Sequence, residues 1–378
     1  WLQQALGAVL VLVILLDIFL TVLYARIDTH LISYRLARLT WRFFRLMAKL
    51  WRSRKWEVLS FCGPVIVVQF VFVWAFALTA GIALVMHPML GTAIRSGSGD
   101  TPTDFITALY AAGTGMAIVG GSDFMPHTSV ARLLYLLDSF IGTSFISVTI
   151  SYFLQLYSTL QQRNVLGFKI DLLTGGTGDA AELVASLGPG GQFGAGYSSL
   201  ADLSAEMAGV NEAHHFYPIL FYFRFQDVRY SVSRMSLVTL DAVTLIRTAL
   251  DDGRDGWLKE AAFVRQLWQA SMAVLTTLED AFLPGGAPSA SAAPPLDDRT
   301  LARWRRRYAA ALQVLQQSGI QTVTDEQAGA EAYVLLRSRW DSYVAALVPG
   351  MGYDLSEIDP VGVVACESAD KAPVAEPA

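Results

Sequence analysis

Between Glu57 and Arg95 the chain carries no charged side chain, and Gly63–His87 inside that interval is dense in Val, Phe, Leu and Ala. An α-helix rises 1.5 Å per residue, so about 20 such residues cross the hydrocarbon core of a bilayer. A stretch this long and this apolar belongs in lipid, and it constrains every other reading of the chain. Ser139–Leu160 is a second uncharged run, extended upstream into Ala131–Leu137 and interrupted by Asp138, with Arg132 near its upstream edge. Ala5–Tyr24 is a third, apolar apart from Asp17 and without the cleavage-site pattern of a secretory leader. It is expected to be a retained helix, which makes three membrane spans.

Charge is spread unevenly around these runs. Residues 1–160 carry a net +4 and residues 161–378 a net −9, so a lipid-embedded first part and a water-facing second part are expected. The total of −5 argues against a nucleic-acid partner. Cys62 and Cys366 stand too far apart in sequence for a disulfide framework or zinc spacing. Short loops rich in Lys and Arg stay cytoplasmic. Residues 25–57 hold nine such side chains and residues 88–130 only Arg95. The N-terminus is therefore expected outside and everything after Arg163 inside.

Within the basic loop, Arg35, Arg38, Arg42, Arg45, Lys49 and Arg52 recur at spacings of 3 and 4 and form one helical stripe, with Leu39, Phe43, Leu46 and Leu50 on another side. That is the pattern of an amphipathic helix lying in the interface, its cations toward anionic headgroups. Asp17, near the cytoplasmic end of the first span, is expected to pair with a loop arginine.

The segment Thr101–Pro126 is apolar enough to enter the membrane and too short to cross it and return as two helices. A helix of about three turns is expected, capped by Thr101 with Pro102 in its first position and Asp104 completing a capping box, and ending near Gly113. The Gly-rich run Thr114–Asp123 follows. Non-helical backbone at membrane depth survives only where protein shields it or where it lines a water-filled path.

The order of span, re-entrant helix with Leu109-Tyr110, Val119-Gly120, Asp123 and Pro126, then span, resembles the pore module of the tetrameric potassium-channel superfamily. The resemblance covers about residues 58–160. It implies a selectivity filter at Ile118, Val119, Gly120, Gly121, Ser122 and Asp123, where the family reads Thr-Val-Gly-Tyr-Gly-Asp, and a hinge at Gly142 in the inner helix. It also implies a homotetramer, with permeant K+ or Na+ in the filter and no resident cofactor or other metal. Ile118 lacks the hydroxyl that helps form the innermost ion site, and Gly121 lacks the tyrosine that ties the filter to its surroundings. Weakened potassium selectivity is the expected consequence. On the third span, Ser139, Thr143, Ser147, Ile150 and Leu154 share a face that would suit a water-filled cavity above an apolar constriction, with Ile150, Phe153 or Leu154 as the gate.

In the second half, Leu200–Asn211, Tyr217–Gln226, Val228–Leu250, Gly256–Phe282, Arg299–Gln317 and Asp325–Leu347 show helical apolar spacing. The glycine-rich residues 174–196 read as an adaptable linker, and residues 284–298 as a disordered loop. His214 and His215 are adjacent and leave a helix in different directions, so they cannot jointly hold a metal. Arg224, Arg229 and Arg234, and the run from Arg303 to Arg307, are expected at the solvated surface. No nucleophile, base and orienting group cluster at recognisable spacing, so an enzyme is not expected.

The expected protein is thus an all-α membrane protein. Residues 1–57 hold the first span and the basic helix, residues 58–160 the pore module, and residues 161–378 a helical cytoplasmic domain with a polar tail and an unidentified ligand, if any. A non-conducting membrane receptor or scaffold that keeps the pore fold is the alternative.

Overall fold

The structure is a computed structural model that describes residues 1–24, 32–97, 99–117, 123–283 and 297–359, with only the backbone of Arg52. It is helical apart from one two-stranded ladder among these residues. Three helical stretches are long and apolar enough to cross a membrane: Leu2–Tyr24, Lys55–Met89 and Ser129–Leu173. The chain divides into two compact units, residues 1–43 with 62–158 and residues 44–61 with 159–378. The loop expected near 284–298 falls almost wholly, and the tail beyond residue 359 entirely, outside the described residues, as does Cys366.

In the first unit, α1 (Leu2–Ile18) packs antiparallel on α4 (Cys62–Met86). Gln3 Nε2 meets His87 Nδ1 at 3.0 Å near one end of the pair, and Trp74 Nε1 donates to Asp17 Oδ2 at 2.8 Å nearer the other. Glycines set the crossing: a Cβ on Gly81 would lie 2.7 Å from Val11 Cγ2, and one on Gly7 would meet the Gly81 carbonyl. Small residues let backbones approach in lipid, where van der Waals contact rather than the hydrophobic effect holds helices together.

The helix α2 (Ser33–Leu50) begins at the buried Asp17, whose Oδ1 accepts the backbone N–H of Ile32 at 2.8 Å and whose Oδ2 accepts the Ser33 hydroxyl at 2.6 Å. Asp17 therefore caps a helix and holds Trp74, and no arginine pairs with it among the described residues. A side-chain oxygen from another element satisfies the orphan amides at a helix start as well as a local cap does. Arg35, Arg42, Arg45 and Lys49 are exposed on α2, and so are Leu39, Phe43, Leu46 and Leu50. Ala37, Thr40, Trp41 and Ala48 form its buried side.

The second unit is built from α3 (Lys55–Ser60), the C-terminal part of α6 (Ser129–Leu173), and helices α7 (Ala180–Leu187), α8 (Gly196–Phe216), α9 (Val232–Ala249), α10 (Asp252–Lys259), α11 (Ala262–Phe282), α12 (Asp298–Gln317), α13 (Glu326–Arg337), α14 (Asp341–Gly350) and α15 (Leu355–Ile358). Nearly every residue of α9 is buried, so it forms the centre against which α7, α11 and α13 pack. Residues 174–196 contain α7, started by the Asp179 side chain accepting from Ala181 N at 3.0 Å, with Leu183 and Val184 fully buried. The flanking glycines hide a short core helix where a linker was expected. Tyr217–Gln226 is a 3₁₀ turn over Pro218–Tyr222 followed by extended chain, not an amphipathic helix.

Arg307 and Arg337 are likewise interior. Asp241 Oδ2 accepts from Arg307 Nε at 2.8 Å, and Asp241 Oδ1 accepts from Arg337 Nη1 at 3.1 Å and from the Tyr333 hydroxyl at 2.6 Å. Asp359 pairs with both guanidiniums. Burial alone would lower the proton affinity of Arg307, but the carboxylates of Asp241 and Asp359 outweigh it and raise the guanidinium above the ordinary arginine range.

Candidate functional site

The chain between α4 and α6 leaves and returns at one place. Strand β1 (Ile94–Ser96) pairs antiparallel with β2 (Phe124–Pro126), Ile94 opposite Pro126 and Ser96 opposite Phe124. Gly97 N donates to the Asp123 carbonyl at 2.8 Å and His127 N to the Ala93 carbonyl at 2.8 Å. The two ends of the intervening segment are thereby locked together.

Inside that closed excursion lies α5 (Phe105–Met116), three turns long. Its cap is Asp104 rather than Thr101. Asp104 Oδ1 accepts from Thr107 N at 3.0 Å and Oδ2 from the Thr107 hydroxyl at 2.7 Å, while Thr101 Oγ1 accepts from Ser96 N at 2.9 Å. An aspartate three residues later in the sequence competes better for the cap, and Thr101 serves the strand instead. The small residues Ala108, Ala111 and Ala112 are fully buried and let α5 sit close to α4, against Ile82, Ala83 and Met86. Thr79 Oγ1 reaches Met116 Sδ at 3.3 Å.

The last carbonyls of an α-helix carry partial negative charge, and α5 ends with Ala117 N donating to the Gly113 carbonyl at 3.0 Å. Two glycines govern what this end touches. A Cβ on Gly142 would fall onto the Met116 carbonyl oxygen, so α6 passes against the backbone of the last residue of α5. A Cβ on Gly115 would fall onto the Asp138 carboxylate. Asp138 is 1% exposed, and neither of its carboxylate oxygens has a hydrogen-bond partner among the described residues. The sequence marks it only as the lone charge interrupting an apolar run.

Ile118, Val119, Gly120, Gly121 and Ser122 lie outside the described residues. Asp123 is described and exposed, immediately before β2. Ser139, Thr143, Ser147, Ile150 and Leu154 are all exposed in the single chain, and Phe153 is half-buried. The hydroxyls form a ladder: Thr143 Oγ1 donates to the Ser139 carbonyl at 2.8 Å, and Ser147 Oγ to the Thr143 carbonyl at 2.9 Å. Each proton is spent on the helix backbone, so the oxygens offer lone pairs outward. Gly142 is buried within an unbroken α6.

No family model, no curated protein and no solved structure matches the chain. Geometry and chemistry must therefore carry the functional reading.

Elsewhere, His214 is buried with Nδ1 2.9 Å from the Val210 carbonyl, and desolvation with the nearby Arg163 charge pushes it down to about 3, which keeps it neutral. His215 is exposed. Among the described residues no group of three or more His, Cys, Asp or Glu side chains could hold a metal ion.

Proposed function

We propose that the chain is one subunit of a homotetrameric cation channel in a bacterial inner membrane, with the N-terminus outside and the second unit in the cytoplasm. The observation that carries the reading is the closed excursion between two long apolar helices: a short capped helix enters, its carbonyl end leads into a Gly-rich run, and a ladder of backbone hydrogen bonds returns the chain to its starting point. In the pore module that the sequence resembles, a run of this kind presents backbone carbonyl oxygens, which is the chemistry a dehydrated cation needs. One copy cannot enclose a path, and four around a cyclic axis can.

The acceptor-only ladder at Thr143 and Ser147 suits the cavity wall of a cation path, because outward lone pairs attract cations and repel anions. The exposed Asp123 carboxylate would form a fourfold ring that concentrates cations within a Debye length of about 8 Å at physiological salt. Ile118 and Gly121 leave the filter with fewer fixed sites and a less constrained wall, so discrimination between K+ and Na+ is weak. The same two residues favour the second reading, a receptor that keeps the pore fold without conducting. Cation-selective flux from purified protein in liposomes separates the two, and its absence under all tested voltages would leave the receptor reading.

A further inference from the structure

The second unit holds a cavity of about 420 Å³ whose walls include Arg45, Lys49, Lys55, Tyr353 and Asp354. This is within the size range of small-ligand sites. Arg45 and Lys49, one helical turn apart, have no carboxylate partner among the described residues. Lys55 Nζ meets Asp354 Oδ2 at 2.9 Å, and Asp354 is already committed to capping α15. Behind the Tyr353 wall sits Arg224, 3% exposed, its guanidinium carbon 4.2 Å from the ring centroids of both Trp56 and Tyr353. Its Nε and Nη1 donate to nothing among the described residues. Lys55 Nζ lies 4.3 Å from the Trp56 ring as well. Tyr353 is fixed by its hydroxyl, which donates to the Phe225 carbonyl at 3.2 Å.

Three cations thus line one cavity and a fourth, Arg224, stands behind its Tyr353 wall, with two nearby carboxylates, Asp354 and Glu357, both occupied in the α15 capping box. A buried guanidinium held by two aromatic faces, with carboxylates nearby but no direct ion pair among the described residues, keeps unspent hydrogen-bonding capacity that an incoming anion would use. We propose that this cavity binds a phosphate group, delivered either by a phospholipid headgroup or by a free phosphate compound. Arg45 and Lys49 clamp its oxygens, and Lys55 exchanges Asp354 for it. Exposed Leu46, Leu50 and Trp51 stand beside these cations in sequence and would accept acyl chains if lipid is the source. The inference rests on the cavity and not on ion conduction.

The test uses the full chain in neutral detergent, titrated by calorimetry with short-chain phosphatidylglycerol, with short-chain phosphatidylcholine and with inorganic phosphate. Saturable binding of phosphatidylglycerol or of inorganic phosphate is expected, the first alone marking a lipid site and the second a free-phosphate site. The double variant Arg45→Ala with Lys49→Ala should weaken that binding at least about tenfold, the loss of one charge-assisted contact. Arg35→Ala with Arg38→Ala removes the same charge from α2 outside the cavity and should change it less than about twofold. All four side chains lie on the outside of α2 or are half-buried there, and a melting curve matching the parent chain checks folding. Binding of neither anionic probe, equal binding of phosphatidylcholine, or equal weakening by both double variants would overturn the proposal.

Discussion

Gly142→Ala separates two roles for the same glycine. A hinge would shift open probability and leave unitary conductance alone. The packing seen here predicts something else, because the added methyl meets the Met116 carbonyl, a backbone atom that cannot swing aside as a flexible side chain would. Restoring ordinary contact needs α5 and α6 to part by on the order of 1 Å, a strain of about 1–3 kcal/mol for overpacking a close contact. Better helix propensity returns about 0.5–1 kcal/mol. Gly113→Ala is the control: its Cβ would meet only Thr79 Cγ2 at 3.5 Å, an ordinary contact, so the same propensity gain should appear without strain. Denaturant unfolding in detergent should place Gly113→Ala above Gly142→Ala by about 2 kcal/mol. If the chain conducts as proposed, Gly142→Ala should alter unitary conductance in single-channel recordings, since Met116 lies two residues before the run proposed as the filter. Equal stabilities of the two variants, together with unchanged conductance and shifted open probability, would refute the packing account in favour of the hinge.

Asp241→Ala should cost about 3–5 kcal/mol in unfolding of the second unit, because it strands two buried guanidiniums; a loss below about 1 kcal/mol would mean that Asp359 and Asp341 suffice. Glu279 is fully buried with neither carboxylate oxygen paired among the described residues, and desolvation followed by the neighbouring Asp280 raises it to about 8. The unfolded chain then loses this proton near pH 4.5 and the folded chain only near 8, so stability should fall as pH rises across that window, and Glu279→Gln should flatten the slope. Trp74→Phe removes the indole donor to Asp17 and should cost about 1–3 kcal/mol, read by thermal unfolding; no loss would mean that the start of α2, through the Ile32 amide and the Ser33 hydroxyl, suffices to hold the carboxylate.

What could be read from the sequence followed from periodicity and length. The three apolar helices and the basic helix α2 stand where spacing and charge put them, because both signals extend over many residues. Single-residue assignments fared differently. Thr101 and Asp104 are both good caps, and only the strand pairing of β1 decides between them. Asp17 meets a helix start fifteen residues away and an indole on another helix, partners no local pattern signals. The neutralising partners of Arg307 come from α9 and from the end of the chain, so this one member of a run that reads as solvated surface becomes part of a core, while Arg305 and Arg306 stay exposed. In α7, eight residues between glycines are too few for a periodic signal and are recognised only by their burial. The expected filter residues 118–122 lie outside the described residues, and their reading still rests on sequence.

The most direct test of the account is a bi-ionic reversal potential measured on the purified full chain in planar bilayers, with K+ on one side, Na+ on the other and chloride varied independently. The account predicts a cation current that ignores the chloride gradient and a reversal potential only modestly on the potassium side. A current that follows chloride, or a potassium preference as steep as that of an intact Thr-Val-Gly-Tyr-Gly filter, would contradict it.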